Sequence, residues 1–148
     1  EKAIERLNKI KGRSAPMSVL CPSFQSVKSW IDLPSHEKAI VEKKIKPKTT
    51  LIVPVKNNVV SNLILGNGNT LGIRISNHPF CISVAHKYPR PITTTSVNRS
   101  GHEPLSDPYK IELEFSNEIE LCGDDGVIKG KGSKIYKYEN QSWTPIRA

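Results

Sequence analysis

Between Thr70 and Gly101 the chain changes its hydrophobic period twice, and that change restricts the folds open to it. Leu71, Ile73 and Ile75 alternate with Thr70, Gly72 and Arg74, the two-residue period of a strand with one apolar and one polar face. Asn77-His78-Pro79 then opens a helical segment of about nine residues, since proline is tolerated in a first turn, and Pro89 to Pro91 closes it. A second β-prone run follows, Thr93-Thr94-Thr95-Ser96-Val97-Asn98-Arg99-Ser100-Gly101. Its β-branched residues suit a pleated surface, and Asn98, Ser100 and Gly101 favour a turn at its end. Strand, helix and strand in this order predict a crossover unit in an α/β domain.

The other segments alternate in the same way. Glu1 to Lys11 reads as an amphipathic helix with Ala3, Ile4, Leu7 and Ile10 on one face, stopped by Lys11-Gly12-Arg13. A short strand is expected at Met17 to Cys21. A helix capped by Ser23 is expected to run to about Asp32, carrying Phe24, Val27, Trp30 and Ile31 inward. Ser35 is expected to cap a basic helix that ends before Pro47. Thr49 to Val55 is the clearest strand by composition, with Pro54 marking an end or an edge. Asn57-Asn58 and Gly66-Asn67-Gly68-Asn69 read as turns on either side of the apolar segment Val59 to Leu65. Beyond Gly101 come a loop to Ser106, a short helix from Asp107 to Ser116, a strand at Glu118 to Cys122 and a turn at Asp124-Asp125-Gly126. Lys129-Gly130-Lys131-Gly132 reads as a mobile basic loop. Ser133 to Tyr138 and Ser142 to Ile146 form a hairpin joined at Glu139-Asn140-Gln141. The 148 residues are expected to form one domain, with a modest core because only 36% are hydrophobic.

Several function classes drop out at this stage. No apolar run approaches the ~20 residues of a membrane span, and no signal-peptide pattern opens the chain, so a soluble, cytoplasmic protein without a membrane partner is expected. Cys21, Cys81 and Cys122 are widely separated and flanked by apolar residues, the pattern of reduced core thiols rather than of disulfides or a zinc cage. No protein-held metal site is expected, and Asp124-Asp125 is more simply a turn than a magnesium site. The P-loop, dinucleotide-binding, zinc-protease and nucleophile-elbow patterns are all absent. A net charge of +8 makes RNA or nucleotide phosphates plausible partners. The lysine groups at 38, 43, 44, 46 and 48 and at 129, 131, 134 and 137 nevertheless lack the interleaved aromatics of a single-strand RNA reader.

Three groups of residues remain as candidates. Lys11 and Arg13 flank a glycine at a helix end, where they either complement the helix dipole or converge on phosphate or carboxylate oxygens. Arg74 stands on the polar face of an otherwise apolar strand, either paired internally or open to an anion. Ser96 and Asn98, two residues apart, share one side of a strand and either leave it in an ordinary turn or act together on a ligand.

Lys-x-Arg before a proline and an apolar strand, Gly72-Ile73-Arg74-Ile75 ahead of Asn77-His78-Pro79, and Thr95-Ser96-Val97-Asn98-Arg99-Ser100-Gly101 together resemble the YrdC-type threonylcarbamoyl-AMP synthase (YrdC/YciO-like) family. In order and spacing the resemblance runs through almost the whole chain. It implies a twisted, mixed α/β sheet with flanking helices around a positively charged cleft. It also implies an L-threonylcarbamoyladenylate synthase-like nucleotidyltransferase that joins L-threonine, bicarbonate and ATP, releases pyrophosphate and supplies threonylcarbamoyladenosine formation in tRNA. Carried over by the resemblance, Lys11 and Arg13 are the catalytic pair, binding the triphosphate and orienting the carboxylated threonine. Arg74 and Ser96 hold threonine, while Thr70, Asn98, Ser106 and Arg147 join Arg13 at the nucleotide. Mg2+ accompanies the phosphates, no covalent enzyme intermediate forms, and the implied partners are tRNA or dsRNA and the tRNA-modification transferase complex.

The sequence also departs from the family pattern. The opening strand and the Pro-Thr-Asp-Thr-x-Tyr-Gly-Leu-Gly segment have no counterpart, so residues 1–148 are expected to be an N-terminally short domain. Pro-Gly-Pro-x-Thr becomes Pro47-Lys48-Thr49-Thr50, Ser-Thr-Ile becomes Ser133-Lys134-Ile135, and the closing Arg-Pro-Gly becomes Arg147-Ala148. These departures leave two further readings: a non-catalytic nucleotide- or RNA-binding module, and a carbamoyl-adenylate-handling relative of the hydrogenase-maturation type.

Overall fold

The first helix, α1 (Lys2–Lys11), ends where glycine lets it end: Gly12 turns left-handed at φ 65°. The Gly12 and Arg13 N–H groups then return to the Lys9 and Asn8 carbonyls, each at 3.1 Å. This crossed pair satisfies carbonyls that a helix end otherwise leaves open. The computed structural model describes every residue except Ala15, Pro89, Lys129, Lys131 and Ala148. The basic loop expected at Lys129 to Gly132 therefore lies partly outside the described residues.

The further elements are β1 (Ser18–Leu20), α2 (Phe24–Val27), α3 (Ser35–Lys44), β2 (Thr49–Pro54), a 3-10 turn at Asn62–Ile64 and β3 (Thr70–Arg74). They are followed by α4 (Pro79–Lys87), β4 (Ile92–Thr94), α5 (Pro108–Phe115), β5 (Lys134–Glu139) and β6 (Ser142–Arg147). By its contacts the chain divides into two compact units. One comprises Glu1–Ser14 and Thr95–Gly132, and holds α1 and α5. The other comprises Ala15–Thr94 and Ser133–Ala148, and holds all six strands with α2, α3 and α4.

In the second unit the strands form one mixed sheet in the order β4-β1-β3-β2-β5-β6. β1 runs parallel to β3, and β2 parallel to β5, while the other neighbours are antiparallel. The alternation read in β3 holds: Leu71 and Ile73 are fully buried beside Val19, Leu51 and Val53. Helix α4 has the expected nine residues, with Pro79 in its first turn. The hairpin also forms, and its turn residues Asn140 and Gln141 both take positive φ, the backbone that matches the strand twist.

Five expectations change. The strand, helix, strand run is not a simple parallel crossover, because β1 lies between β3 and β4, parallel to one and antiparallel to the other. The second helix stops at Val27 despite its Ser23–Ser26 capping box. Backbone bonds from Lys56 to Trp30 and from Asp32 to Pro54 take the following residues into extended chain beside β2. Pro34, not Ser35, precedes α3, and no side chain caps it. The run from Thr93 leaves the sheet after Thr94, so Ser96 and Asn98 are loop residues. No strand forms at Glu118 to Cys122: the Glu118 and Ile119 N–H groups both bond the Phe115 carbonyl in a turn that continues α5. Among the described residues, no helix is long and apolar enough to cross a membrane.

Candidate functional site

In the first unit, the last residue of α1 is the centre of a polar cluster. The Lys11 side chain is buried, and its Nζ donates to the Ser96 carbonyl at 2.8 Å and to Asn98 Oδ1 at 2.6 Å. Ser96 Oγ donates to the same Asn98 oxygen at 2.6 Å, and Asn98 Nδ2 donates to the His102 carbonyl at 2.6 Å. The Ser-x-Asn spacing thus works through a loop rather than a strand: Asn98 N–H bonds the Ser96 carbonyl at 3.2 Å, folding the two side chains together. Burial, and then the charge of Arg13, lower the Lys11 pKa from its ordinary value. Among the described residues the ammonium bonds oxygen acceptors and no carboxylate.

Arg99, the fourth residue of Ser96-Val97-Asn98-Arg99, is part of the scaffold. Its Nη1 donates to the Ile10 carbonyl at 3.0 Å, and its guanidinium pairs with Glu118 and lies 5.1 Å from the Phe115 ring centre. The Ser100 N–H donates to the Lys11 carbonyl at 2.9 Å. Both contacts bind the loop to the C-terminal carbonyls of α1, which need donors. Arg13 is exposed, with no ion pair or hydrogen bond to its guanidinium among the described residues. Ser106 is also exposed; its carbonyl accepts from Ile128 N at 3.0 Å, leaving the hydroxyl free of described partners.

The second unit carries a separate row of polar side chains across its sheet. Register aligns Arg74 of β3 with Thr50 of β2, Thr50 with Ile135 of β5, and Ile135 with Arg147 of β6. Partners in register share a face, so both arginines and Thr50 stand on the same side of the sheet. Thr50 Oγ1 and Ser133 Oγ lie 2.8 Å apart, and Arg147 Nε donates to the Ser133 carbonyl at 2.8 Å. Arg74 is half-buried, and no acceptor among the described residues takes its guanidinium. Two cations thus flank a pair of hydroxyls. Thr70 is not part of this row: it occupies the other end of β3, about 13 Å away by strand rise, and its buried hydroxyl donates to the Asn67 carbonyl at 3.1 Å.

The structure therefore brings Lys11, Ser96 and Asn98 together in one unit and aligns Arg74 with Arg147 in the other. Thr50 and Ser133, which lie in this polar row, are not singled out by the sequence reading. Their signal was present in Pro47-Lys48-Thr49-Thr50 and Ser133-Lys134-Ile135, which differ from the family pattern around a retained Thr and Ser. No cluster of three or more His, Cys, Asp or Glu suited to a metal occurs among the described residues. The three cysteines are free; Cys21 is buried, and burial pushes its thiol up to about 12, while Cys81 and Cys122 are half-buried rather than in the core.

Comparison with known proteins places these features in context. The Sua5/YciO/YrdC family model, described as "Telomere recombination", matches residues 1–148. A threonylcarbamoyl-AMP synthase of Pyrococcus abyssi is 26% identical over 148 residues, covering 99% of this chain and 43% of the relative. The chain thus spans less than half the length of that relative. Among solved structures, E. coli YciO superposes with a TM-score of 0.87 at 17% identity, over 99% of this chain and 73% of that one. P. abyssi Sua5 complexed with L-threonine superposes with a TM-score of 0.83 at 26% identity, over 98% of this chain and 43% of that one.

Proposed function

This chain belongs to the Sua5/YciO/YrdC family, and on that premise we propose that it is a threonylcarbamoyl-AMP synthase-like nucleotidyltransferase. The proposed reaction joins L-threonine, bicarbonate and ATP into threonylcarbamoyl-adenylate and pyrophosphate, for threonylcarbamoyladenosine formation in tRNA. The observation that carries this reading is the buried Lys11 ammonium seated on Ser96 and Asn98 without a carboxylate. It is supported by the similarity to relatives named threonylcarbamoyl-AMP synthase and to a Sua5 structure with L-threonine.

In the proposed chemistry, threonine's amine condenses with bicarbonate with loss of water to give a carbamate, a carbamate oxygen attacks the α-phosphorus of ATP, and the bond to pyrophosphate breaks. Charge accumulates on the phosphoryl oxygens, and fixed cations in a water-poor setting lower the barrier. Lys11 and Arg13 supply those cations in the first unit, where Asn98 and Ser106 contact the nucleotide and Ser96 the threonine. In the second unit, Arg74 receives a carboxylate and Arg147 serves the nucleotide. Mg2+ enters this account as part of the magnesium–ATP substrate.

Calorimetric titration tests the reading. L-Threonine and ATP are expected to bind, and Asn98→Ala and Arg74→Ala to weaken ATP and threonine binding respectively by at least about tenfold, the loss of one charge-assisted contact. Unchanged affinities in both variants would remove the proposed roles.

A further inference from the structure

The last four carbonyls of α1 all find donors, and the donors fall into two pairs. Gly12 N and Arg13 N take the Lys9 and Asn8 carbonyls. Arg99 Nη1 takes the Ile10 carbonyl at 3.0 Å, and Ser100 N takes the Lys11 carbonyl at 2.9 Å. The second pair comes from the loop that also receives the Lys11 ammonium, through the Ser96 carbonyl at 2.8 Å and Asn98 Oδ1 at 2.6 Å. One five-residue loop therefore grips the lysine at both ends, by its backbone and by its side-chain tip. A lysine stem is flexible, so the place of its charge is defined only while both ends are held.

Of the two backbone grips, only Arg99 uses a side chain. Its guanidinium is itself fixed on the far side: it pairs with Glu118, lies 3.7 Å from a Glu114 carboxylate oxygen and 5.1 Å from the Phe115 ring centre. The turn that carries Glu118 is tied back to α1, since Arg6 Nη2 donates to the Glu118 carbonyl at 2.7 Å and Arg6 pairs with Glu120. The circuit runs from α1 through Arg6, Glu118 and Arg99 back to α1 at Ile10, one residue before Lys11. Because its charge is already paired, Arg99 suits a role in placing another cation better than one in meeting a substrate anion.

We propose that Arg99 is a positioning residue for Lys11: by holding the Ile10 carbonyl with one end of its guanidinium and Glu118 with the other, it sets where the Lys11 ammonium stands to receive a nucleotide phosphate. This deepens the nucleotide-binding reading of Lys11 and rests on it.

A double-mutant cycle tests the proposal, with ATP and adenosine titrated calorimetrically into the full chain, Arg99→Met, Arg99→Lys, Glu118→Gln, Lys11→Ala and the double variant Arg99→Met/Lys11→Ala. Arg99→Met is expected to weaken ATP binding about tenfold and to leave adenosine unchanged. Arg99→Lys is expected to restore only part of the loss, since one ammonium lacks the two-ended fork. In the Lys11→Ala background the same Arg99→Met change is expected to cost less than about twofold, because the residue it positions is gone. An equal loss with and without Lys11 overturns the proposal, and so does ATP affinity unchanged in Arg99→Met, which leaves Arg99 a role in stability alone. Should Arg99→Met fail to fold, Glu118→Gln taken through the same cycle decides by the same criterion. ATP affinity that Lys11→Ala leaves unchanged refutes the nucleotide-binding reading of Lys11 and this proposal with it, whereas a Lys11 loss that adds independently to the Arg99 loss refutes this proposal alone.

Discussion

Asn98→Ala is the substitution whose consequence follows most directly from the geometry. The carboxamide oxygen accepts from Lys11 Nζ and from Ser96 Oγ, and its nitrogen donates to the His102 carbonyl, each at 2.6 Å, so truncation removes one charge-assisted and two neutral hydrogen bonds. Lys11 retains the Ser96 carbonyl at 2.8 Å but is buried, so water replaces the lost partner poorly. The charged bond contributes about 2 kcal/mol and each neutral one about 1 kcal/mol, together about 4 kcal/mol. For a chain of this length that lowers Tm by about 8–16 °C. Asn98→Asp keeps an acceptor for both donors and places a carboxylate beside the ammonium but gives up the donation to the His102 carbonyl, so it is expected to lose about 1 kcal/mol and to melt about 2–4 °C below the parent. Differential scanning calorimetry of the three proteins decides the matter. If Asn98→Ala and Asn98→Asp melt within about 2 °C of each other, the Lys11–Asn98 contact is not what holds this loop, and the argument for a preorganised ammonium fails with it.

Two other predictions concern titratable groups. Tyr138 Oη donates to Glu37 Oε2 at 2.6 Å, and burial followed by that hydrogen bond and the Glu37 charge push its pKa from 10.0 up to about 12. A raised phenol pKa gives stability that is present below the unfolded value and lost as pH rises from 10 to 12, so parent Tm is expected to fall more across that window than that of Tyr138→Phe; equal slopes refute the coupling. Cys21, buried and with its thiol pushed up to about 12, is expected to react with a thiol reagent only after denaturation, whereas Cys81 and Cys122 label in the folded protein. Rapid modification of Cys21 in the native state contradicts this packing.

The sequence was most legible where local chemistry decides structure alone. Pro79 at a helix start, Gly12 at a helix end and Asn140-Gln141 in a tight turn each impose a backbone that few other arrangements satisfy. It was less legible where a distant partner decides. The periodicity of Thr70–Arg74 announces a strand but not that β1 will pair on one side of it and β2 on the other. Glu118 to Cys122 has strand composition, yet Arg99 pairs with Glu118 and Arg6 with Glu120, and the backbone turns out of α5 instead. The same limit applied to the site. Lys11, Ser96 and Asn98 were visible as motifs, but only the folded loop brings the two oxygens to the ammonium. Thr50 and Ser133, 83 residues apart in sequence, become neighbours only when β2 pairs with β5.

The central claim is that a family member with this Lys11–Ser96–Asn98 cluster forms threonylcarbamoyl-adenylate. Pyrophosphate release from ATP, measured with L-threonine and bicarbonate each supplied or withheld, tests it most directly. The account predicts release only when all three substrates are present, and its loss in Lys11→Ala. Release that ignores threonine, or that survives Lys11→Ala undiminished, contradicts it.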